Sequence, residues 1–240
     1  MSVLVITGTG TGVGKTVVTA GIAALALSTR RRVAVLKPAQ TGVGADEPGD
    51  LDDVRRLAGE LTTLELRRYP DPLAPDTAAR RVGMPAVRPS EIAQAVSDLA
   101  ASHDLVLVEG AGGLLVRFDP DGGTLADVAW SLAAPALIVA EAGLGTLNAT
   151  ALTAEALRRR GIECAGVVVG SWPDEPDLAA LLNLDDLPSV AGAPLVGVFP
   201  AGAGALQNGE FAQVARRSLA PSLGGEFDVK EFVEQVSSGA

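Results

Sequence analysis

Val3-Leu4-Val5-Ile6-Thr7-Gly8-Thr9-Gly10-Thr11-Gly12-Val13-Gly14-Lys15-Thr16-Val17-Val18 is the stretch that decides the fold. Residues 3–7 are an apolar run of strand length, a glycine loop follows, and a helical pattern starts at once behind Lys15. Glycines let the backbone curl so that successive N–H groups point inward, and the helix start adds positive potential. Lys15 can neutralise β- and γ-phosphoryl oxygens, and the Thr16 hydroxyl can ligate Mg²⁺. Each residue type has a task, so the segment reads as a phosphate-binding loop and not as a chance glycine turn. Its spacing departs from G-x-x-x-x-G-K-T: Thr9 stands at the first position and Gly8 one residue earlier. Gly12, Val13, Gly14, Lys15, Thr16 and Val17 are therefore candidate nucleotide contacts.

Working outward, short apolar runs alternate with longer helical segments, the pattern of a mostly parallel sheet with helices on both faces. The fold class is α/β, a three-layer P-loop NTPase type. Expected strands are 3–7, 32–37, 104–109, 136–141, 164–170 and 195–199; expected helices are 15–28, 51–59, 89–102, 124–132, 146–160 and 210–219. The proline-rich stretch 69–75 reads as a fixed loop, because helical pattern resumes behind it. Residues 227–240 are either a short acidic helix or a frayed tail. With 240 residues, 48% of them hydrophobic, the chain suits one domain with one sizeable core.

Composition narrows the partners. With 19 basic and 29 acidic residues the net charge is −10, which repels nucleic acid and anionic membrane surfaces. An anionic substrate must then be held by a compact local group of lysines and backbone amides. Cys164 and His103, the one cysteine and the one histidine, cannot build a disulfide framework or a Cys/His zinc site, and a reducing cytoplasm fits. Both are expected to be structural. The N-terminus reads as a first strand and not a targeting leader, and no apolar stretch reaches the roughly 20 residues of a membrane span.

Two later segments carry further charge to the same edge. Lys37-Pro38-Ala39-Gln40-Thr41-Gly42 ends the second strand and puts a lysine beside the glycine loop; alone, it would read equally well as a surface lysine before a proline turn. Leu105-Val106-Leu107-Val108-Glu109-Gly110-Ala111-Gly112-Gly113 is a buried strand that delivers a carboxylate, in the place of a Walker-B acid, and then glycines that admit a ligand closely. Glu109 is a candidate Mg²⁺ ligand, directly or through water. Asp50 opens a helix, where capping and metal binding are compatible.

Together these residues resemble the dethiobiotin synthetases, whose hallmarks are G-T-x-T-x-V-G-K-T, K-P-x-x-[ST]-G and V-E-G-A-G-G. All occur here, in order, and the likeness extends through Gly143-Leu144-Gly145-Thr146-Leu147-Asn148 and Gly170-Ser171-Trp172-Pro173, covering most of residues 1–205. The resemblance implies a ligase of biotin synthesis: nucleotide- and Mg²⁺-dependent ring closure of 7,8-diaminononanoate with CO2 or bicarbonate by a homodimer. The substrate would first become a carbamate and then a carbamic-phosphoric anhydride. Carried over by position, Lys15 and Lys37 are the catalytic cations, and Thr16, Asp50 and Glu109 the metal shell. Thr11 and Thr41 are substrate contacts, and Gly110, Ala111 and Gly112 adjoin the nucleotide. The helix start at Gly145, Thr146, Leu147 and Asn148 would bind the substrate carboxylate of the neighbouring subunit.

Family members that read adenine tend to offer an asparagine after the strand at residues 165–169, whereas here the turn is Gly170-Ser171-Trp172-Pro173. Base contacts then fall to Gly170 and Ser171 and to Pro200, Ala201 and Gly202, which would read a base by shape and backbone hydrogen bonds. ATP is the expected nucleotide, with CTP and other triphosphates expected to compete. Trp130 is expected to pack, and Trp172 is left open between packing and stacking. Partner-regulated P-loop ATPase switches are the rival class, but they carry a lysine where this chain has Gly10 and often a basic amphipathic tail, whereas this C-terminus is mainly acidic. A cobyrinate-type amide ligase would need a glutaminase cysteine that the chain lacks.

Overall fold

In the computed structural model, which describes residues 2–238, parallel strands form one seven-stranded sheet. The strands are β1 (Ser2–Gly8), β2 (Val33–Thr41), β3 (Thr62–Tyr69), β4 (Leu105–Gly113), β5 (Ala136–Ala140), β6 (Cys164–Trp172) and β7 (Leu195–Pro200), in the order β3-β2-β4-β1-β5-β6-β7. Between and after them run α1 (Lys15–Ser28), α2 (Asp50–Ala58), α3 (Pro75–Val82), α4 (Pro89–Ala100), α5 (Leu125–Ser131), α6 (Thr146–Arg159), α7 (Leu178–Ala191), α8 (Asn208–Ser218) and α9 (Val229–Ser238).

Strand β1 is apolar on both faces because both are covered. Val5 joins the core under α3 to α7 and α9, while Leu4 and Ile6 join the core under α1, α2 and α8. Side chains alternate across a strand, so one apolar run feeds two cores. All pairings being parallel, every strand delivers its carboxyl end to the same edge of the sheet. That edge collects the ends of β1, β2, β4, β6 and β7.

Several sequence expectations need correction. Strand β3 was not expected: Thr62-Thr63-Leu64-Glu65-Leu66-Arg67-Arg68-Tyr69 lies at the sheet edge, only Tyr69 of it is fully buried, and it never shows the continuous apolar run used to find the others. Strand β2 runs on through Pro38 to Thr41, four residues past its expected end. Pairing with β4 stops at Leu36, so Pro38 interrupts no bond on that side. Helix α7 was also missed, with Pro188 inside it. Asp50 is not the cap of α2. Gly49 is, and its N–H donates to the Asp52 carboxylate at 2.7 Å. The stretch after Tyr69 is the expected loop, with α3 starting at Pro75, and the described part of the C-terminal segment is helix α9.

Candidate functional site

Register places the first pair of charges. In the β2–β4 pairing Leu36 stands opposite Val108, so Lys37 and Glu109 come next along their strands and share a face. That face carries Val35 and Leu107, the side covered by α1 and α2. The amino ends of those helices therefore hang over the pair and add Thr16 and Asp50. Lys37 Nζ donates to Glu109 Oε1 at 2.8 Å and to the Gly110 carbonyl at 3.2 Å, and it forms an ion pair with Asp50 Oδ2. The Thr16 hydroxyl donates to Glu109 Oε1 at 2.9 Å. Thr16, Lys37, Asp50 and Glu109, recognised on separate segments, thus form one cluster.

Burial sets the energetics of this cluster. The Lys37 and Glu109 side chains are 4% and 1% exposed, and that of Asp50 is 34% exposed. Burial alone would push the Lys37 ammonium down, but Glu109 and Asp50 outweigh it and hold it above the usual lysine value. Lys15 makes no ion pair among the described residues. Its Nζ donates to the Gly10 carbonyl at 2.8 Å, and burial, then repulsion from Lys37, outweigh the attraction of Glu109 and Asp50 and lower it to about 8.

The cluster forms the floor of a cleft of about 650 Å³, walled by Thr11, Gly12, Gly14, Val17, Thr41, Ala111 and Gly112. Val13 is buried beneath the loop, and Gly110 turns its carbonyl to Lys37. Sequence reasoning missed Gln40, Pro72, Leu73, Ala74 and Val116, which line the same cleft. Gln40 had a signal, since it lies inside the quoted lysine motif. Its Oε1 accepts the Asp50 N–H at 2.9 Å and so fixes the start of α2. Pro72 to Ala74 sit in the proline-rich loop, whose function nothing in the sequence marked.

The expected base contacts border the phosphate loop from its other side. Gly14 has φ 93°, and a β-carbon there would lie 2.5 Å from the Gly170 carbonyl oxygen; one on Gly170 would overlap the Val13 carbonyl. The two backbones pack directly, which only glycine at both positions allows. Ser171 is exposed beside this contact, as are Pro200, Ala201 and Gly202. The loop after β7 reaches α1 at Gly204, whose β-carbon would stand 3.2 Å from Val17 Cγ2.

Gly145, Thr146, Leu147 and Asn148 do not line this cleft. Gly145 caps α6 with φ 97°, and the buried Thr146 Oγ1 has no hydrogen-bond partner among the described residues. Asn183 on α7 donates to the Ala142 and Gly143 carbonyls at 2.7 and 3.1 Å, holding the turn that opens α6. Leu144, Leu152, Leu178 and Leu182 are exposed on α7, α6 and that turn.

Other residues singled out in the sequence fall away from the site. His103 bridges the Leu99 carbonyl and the Thr62 hydroxyl, both at 2.8 Å, a structural tie to β3. Cys164 is half-buried at the opposite end of β6. Trp130, expected to pack, is 68% exposed; Trp172, left open, is buried.

The residues suit a magnesium ion. Thr16, Asp50 and Glu109 supply only oxygen donors, which is what Mg²⁺ takes, and the buried Glu109 Oε2 has no hydrogen-bond partner among the described residues. Among the described residues no helix is long and apolar enough to cross a membrane.

A family model described as an AAA domain matches residues 2–204. ATP-dependent dethiobiotin synthetase BioD of Saccharopolyspora erythraea is 69% identical over 95% of this chain and 99% of its own length. The protein of the same name from Streptomyces avermitilis is 66% identical, over 97% and 98%, and that of Mycobacteroides abscessus is 47% identical, over 92% and 96%. Among solved structures, the septum site-determining protein MinD of Pyrococcus horikoshii, complexed with Mg-ADP, superposes with a TM-score of 0.57 at 17% identity, covering 100% of this chain and 98% of that one. FtsY from Mycoplasma mycoides gives 0.56 at 15% identity, over 100% and 68%. At such identities the likeness is one of fold.

Proposed function

The chain belongs to the ATP-dependent dethiobiotin synthetase family, and from that premise we infer that it closes the ureido ring of dethiobiotin, forming C–N bonds between 7,8-diaminononanoate and CO2 while ATP is split. The observation that carries this reading is the pair of buried lysines at the floor of the cleft, one fixed by carboxylates and one held by the Gly10 carbonyl of the phosphate loop without an ion pair among the described residues. We read the chain as one ligase domain working in the cytoplasm.

The chemistry explains the arrangement. CO2 adds to one substrate amine to give a carbamate, an anion that must approach the γ-phosphoryl group, itself anionic. Lys15, lowered to about 8, is desolvated and gains most from meeting a phosphate oxygen. Lys37 cannot swing freely, because Glu109, Asp50 and the Gly110 carbonyl hold it; it is a cation placed in advance between carbamate and phosphate. The carbamate oxygen attacks the γ-phosphorus and ADP leaves. The second amine then attacks the carbonyl carbon of the carbamic-phosphoric anhydride, phosphate departs and the ring closes. Positioning does the remaining work. Thr16, Asp50 and Glu109 would hold Mg²⁺, which when bound neutralises charge on the β- and γ-phosphates. Thr11 and Thr41, which both line the cleft, would contact the diamine.

Two finer points belong to the same reading. The substrate carboxylate lies on the first-turn amides of α6 from the second subunit of a homodimer, supported by the exposed leucines around that helix and by the absence of residues 145–148 from their own chain's cleft. The base is read weakly, so that CTP and other triphosphates serve beside ATP, because the base side offers glycine, proline and alanine backbone and one exposed serine.

A partner-regulated ATPase switch is not favoured. Gly10 stands where those proteins place a second lysine, and its carbonyl accepts from Lys15. The deciding experiment is phosphate release with Mg-ATP in the presence and absence of 7,8-diaminononanoate plus bicarbonate. Release should require the diamine and match dethiobiotin formed; release independent of it would overturn the ligase reading.

A further inference from the structure

The C-terminal helix has no part in the chemistry, yet it packs on β7 and makes a ring contact with the end of β6, on the nucleotide side of the molecule. Phe232 on α9 packs edge-on against Trp172, with ring centroids 5.4 Å apart and planes at 79°. Trp172 is the last residue of β6 and is buried. Its carbonyl accepts the Ala201 N–H at 2.7 Å, and it pairs with Pro200 across β6 and β7. Two residues before it, Gly170 presses on the Val13 carbonyl of the phosphate loop. One aromatic residue is thus tied by its backbone to both segments given to the base, and by its side chain to α9.

The rest of the base side is braced from the opposite flank. Arg56 on α2 donates to the Gly204 and Leu206 carbonyls at 2.7 and 3.0 Å. Those contacts fix the far part of the loop after β7. Its near part, Pro200 and Ala201, is joined to Trp172 by strand pairing and a hydrogen bond, and the Trp172 ring packs against Phe232. Phe227, also against Phe232 with centroids at 5.6 Å, seats the start of the helix, its N–H donating to the Leu219 carbonyl at 2.9 Å.

We propose that α9, acting through the Phe232–Trp172 ring contact, is a positioning strap for the base half of the nucleotide site, and that Phe232 is a positioning residue for nucleotide affinity. The proposal rests on the placement of the base at Gly170, Ser171 and the loop after β7. Phosphate-binding groups lie on α1, β2, β4 and the loop at Gly12–Gly14, and the Phe232–Trp172 contact touches none of them directly; the loop meets β6 at Gly170, on the base side of its backbone. Loosening the strap must therefore weaken what the base contributes and spare what the phosphates contribute.

Tripolyphosphate, which has phosphates and no base, separates the two. The full chain and its Phe232→Ala, Phe232→Leu and Phe232→Tyr variants are titrated with Mg-ATP, Mg-CTP and Mg-tripolyphosphate against one ribose-labelled fluorescent nucleotide. Loss of an edge-to-face pair should weaken ATP and CTP binding about three- to tenfold in Phe232→Ala. Tripolyphosphate affinity and the KM for the diamine should stay within about twofold of wild type, a split that general unfolding would not give. Phe232→Leu should fall between, and Phe232→Tyr, which keeps the ring, should restore wild-type values. The strap is overturned if nucleoside triphosphates and tripolyphosphate weaken together in Phe232→Ala and Phe232→Leu alike, or if neither weakens. If wild-type protein binds ATP no better than tripolyphosphate, the placement of the base itself fails and the strap falls with it.

Discussion

Lys37→Ala should cost the protein both its activity and part of its stability, and the two losses can be pulled apart. In the folded chain Lys37 is ion-paired with both Glu109 and Asp50. Removing one partner of a buried ion pair leaves the other charge unpaired, a loss of about 3–5 kcal/mol. Asp50, with 34% of its side chain exposed, can recover water when the lysine is gone, whereas Glu109, at 1%, cannot. Only one carboxylate is left stranded, so the lower end applies, about 3 kcal/mol, or about 6–12 °C in melting temperature for a chain of this size. Adding Glu109→Gln removes the stranded charge and should restore most of the melting temperature, while turnover stays absent because the cation between carbamate and phosphate is still missing and a Mg²⁺ ligand is now neutral. The assay is thermal unfolding without nucleotide and with a chelator, beside single-turnover phosphate release with Mg-ATP, diamine and bicarbonate. Near-normal turnover in Lys37→Ala would refute the catalytic assignment; a melting temperature unchanged within about 2 °C would refute the electrostatic account.

Other outcomes follow from the same geometry. Competition of ATP, CTP, GTP and UTP against one fluorescent nucleotide should place all four within about tenfold, since losing one bidentate base contact is worth about 1–3 kcal/mol; an ATP preference above about a hundredfold would mean that another residue reads adenine. Mixing Asn148→Asp subunits with Lys37→Ala subunits should restore activity in heterodimers, and no recovery after confirmed subunit exchange would count against a shared site. Lys15 is lowered to about 8, below its unfolded value, so folding stability should rise as pH climbs from about 8 toward the unfolded lysine value near 10.4. A bound triphosphate favours the ammonium, so nucleotide affinity should fall over that same window, and flat affinity up to about pH 9.5 would contradict it.

Most of this was legible because buried parallel strands write themselves as apolar runs. Residues 3–7, 136–141 and 164–170 announce themselves, and the groups that follow them at the carboxyl edge can be assigned without knowing the sheet order. The order itself is not written locally. That Lys37 and Glu109 meet depends on β2 lying beside β4, a pairing between segments about seventy residues apart in sequence. Edge strand β3 escaped because its polar alternation resembles a surface segment, and α7 because Pro188 interrupts an otherwise helical run. Gln40 stands inside the lysine motif yet its role is not legible there, since its task is to accept from a backbone N–H that comes near only when α2 is in place. Phe232 carried no signal at all, as its meaning lies in a partner sixty residues earlier.

The contact between Gly14 and Gly170 sets a rule for redesign. Because a β-carbon at position 170 would overlap the Val13 carbonyl, that position is closed to every other amino acid as long as the phosphate loop keeps its shape. The neighbouring Ser171 is open to solvent. An amide meant to grip adenine can therefore be grafted onto this scaffold only one residue further along, where Ser171→Asn has room to grow, and a nucleotide-selective version of the protein is one substitution away from the side chain it lacks but a rebuilt loop away from the backbone position beneath it.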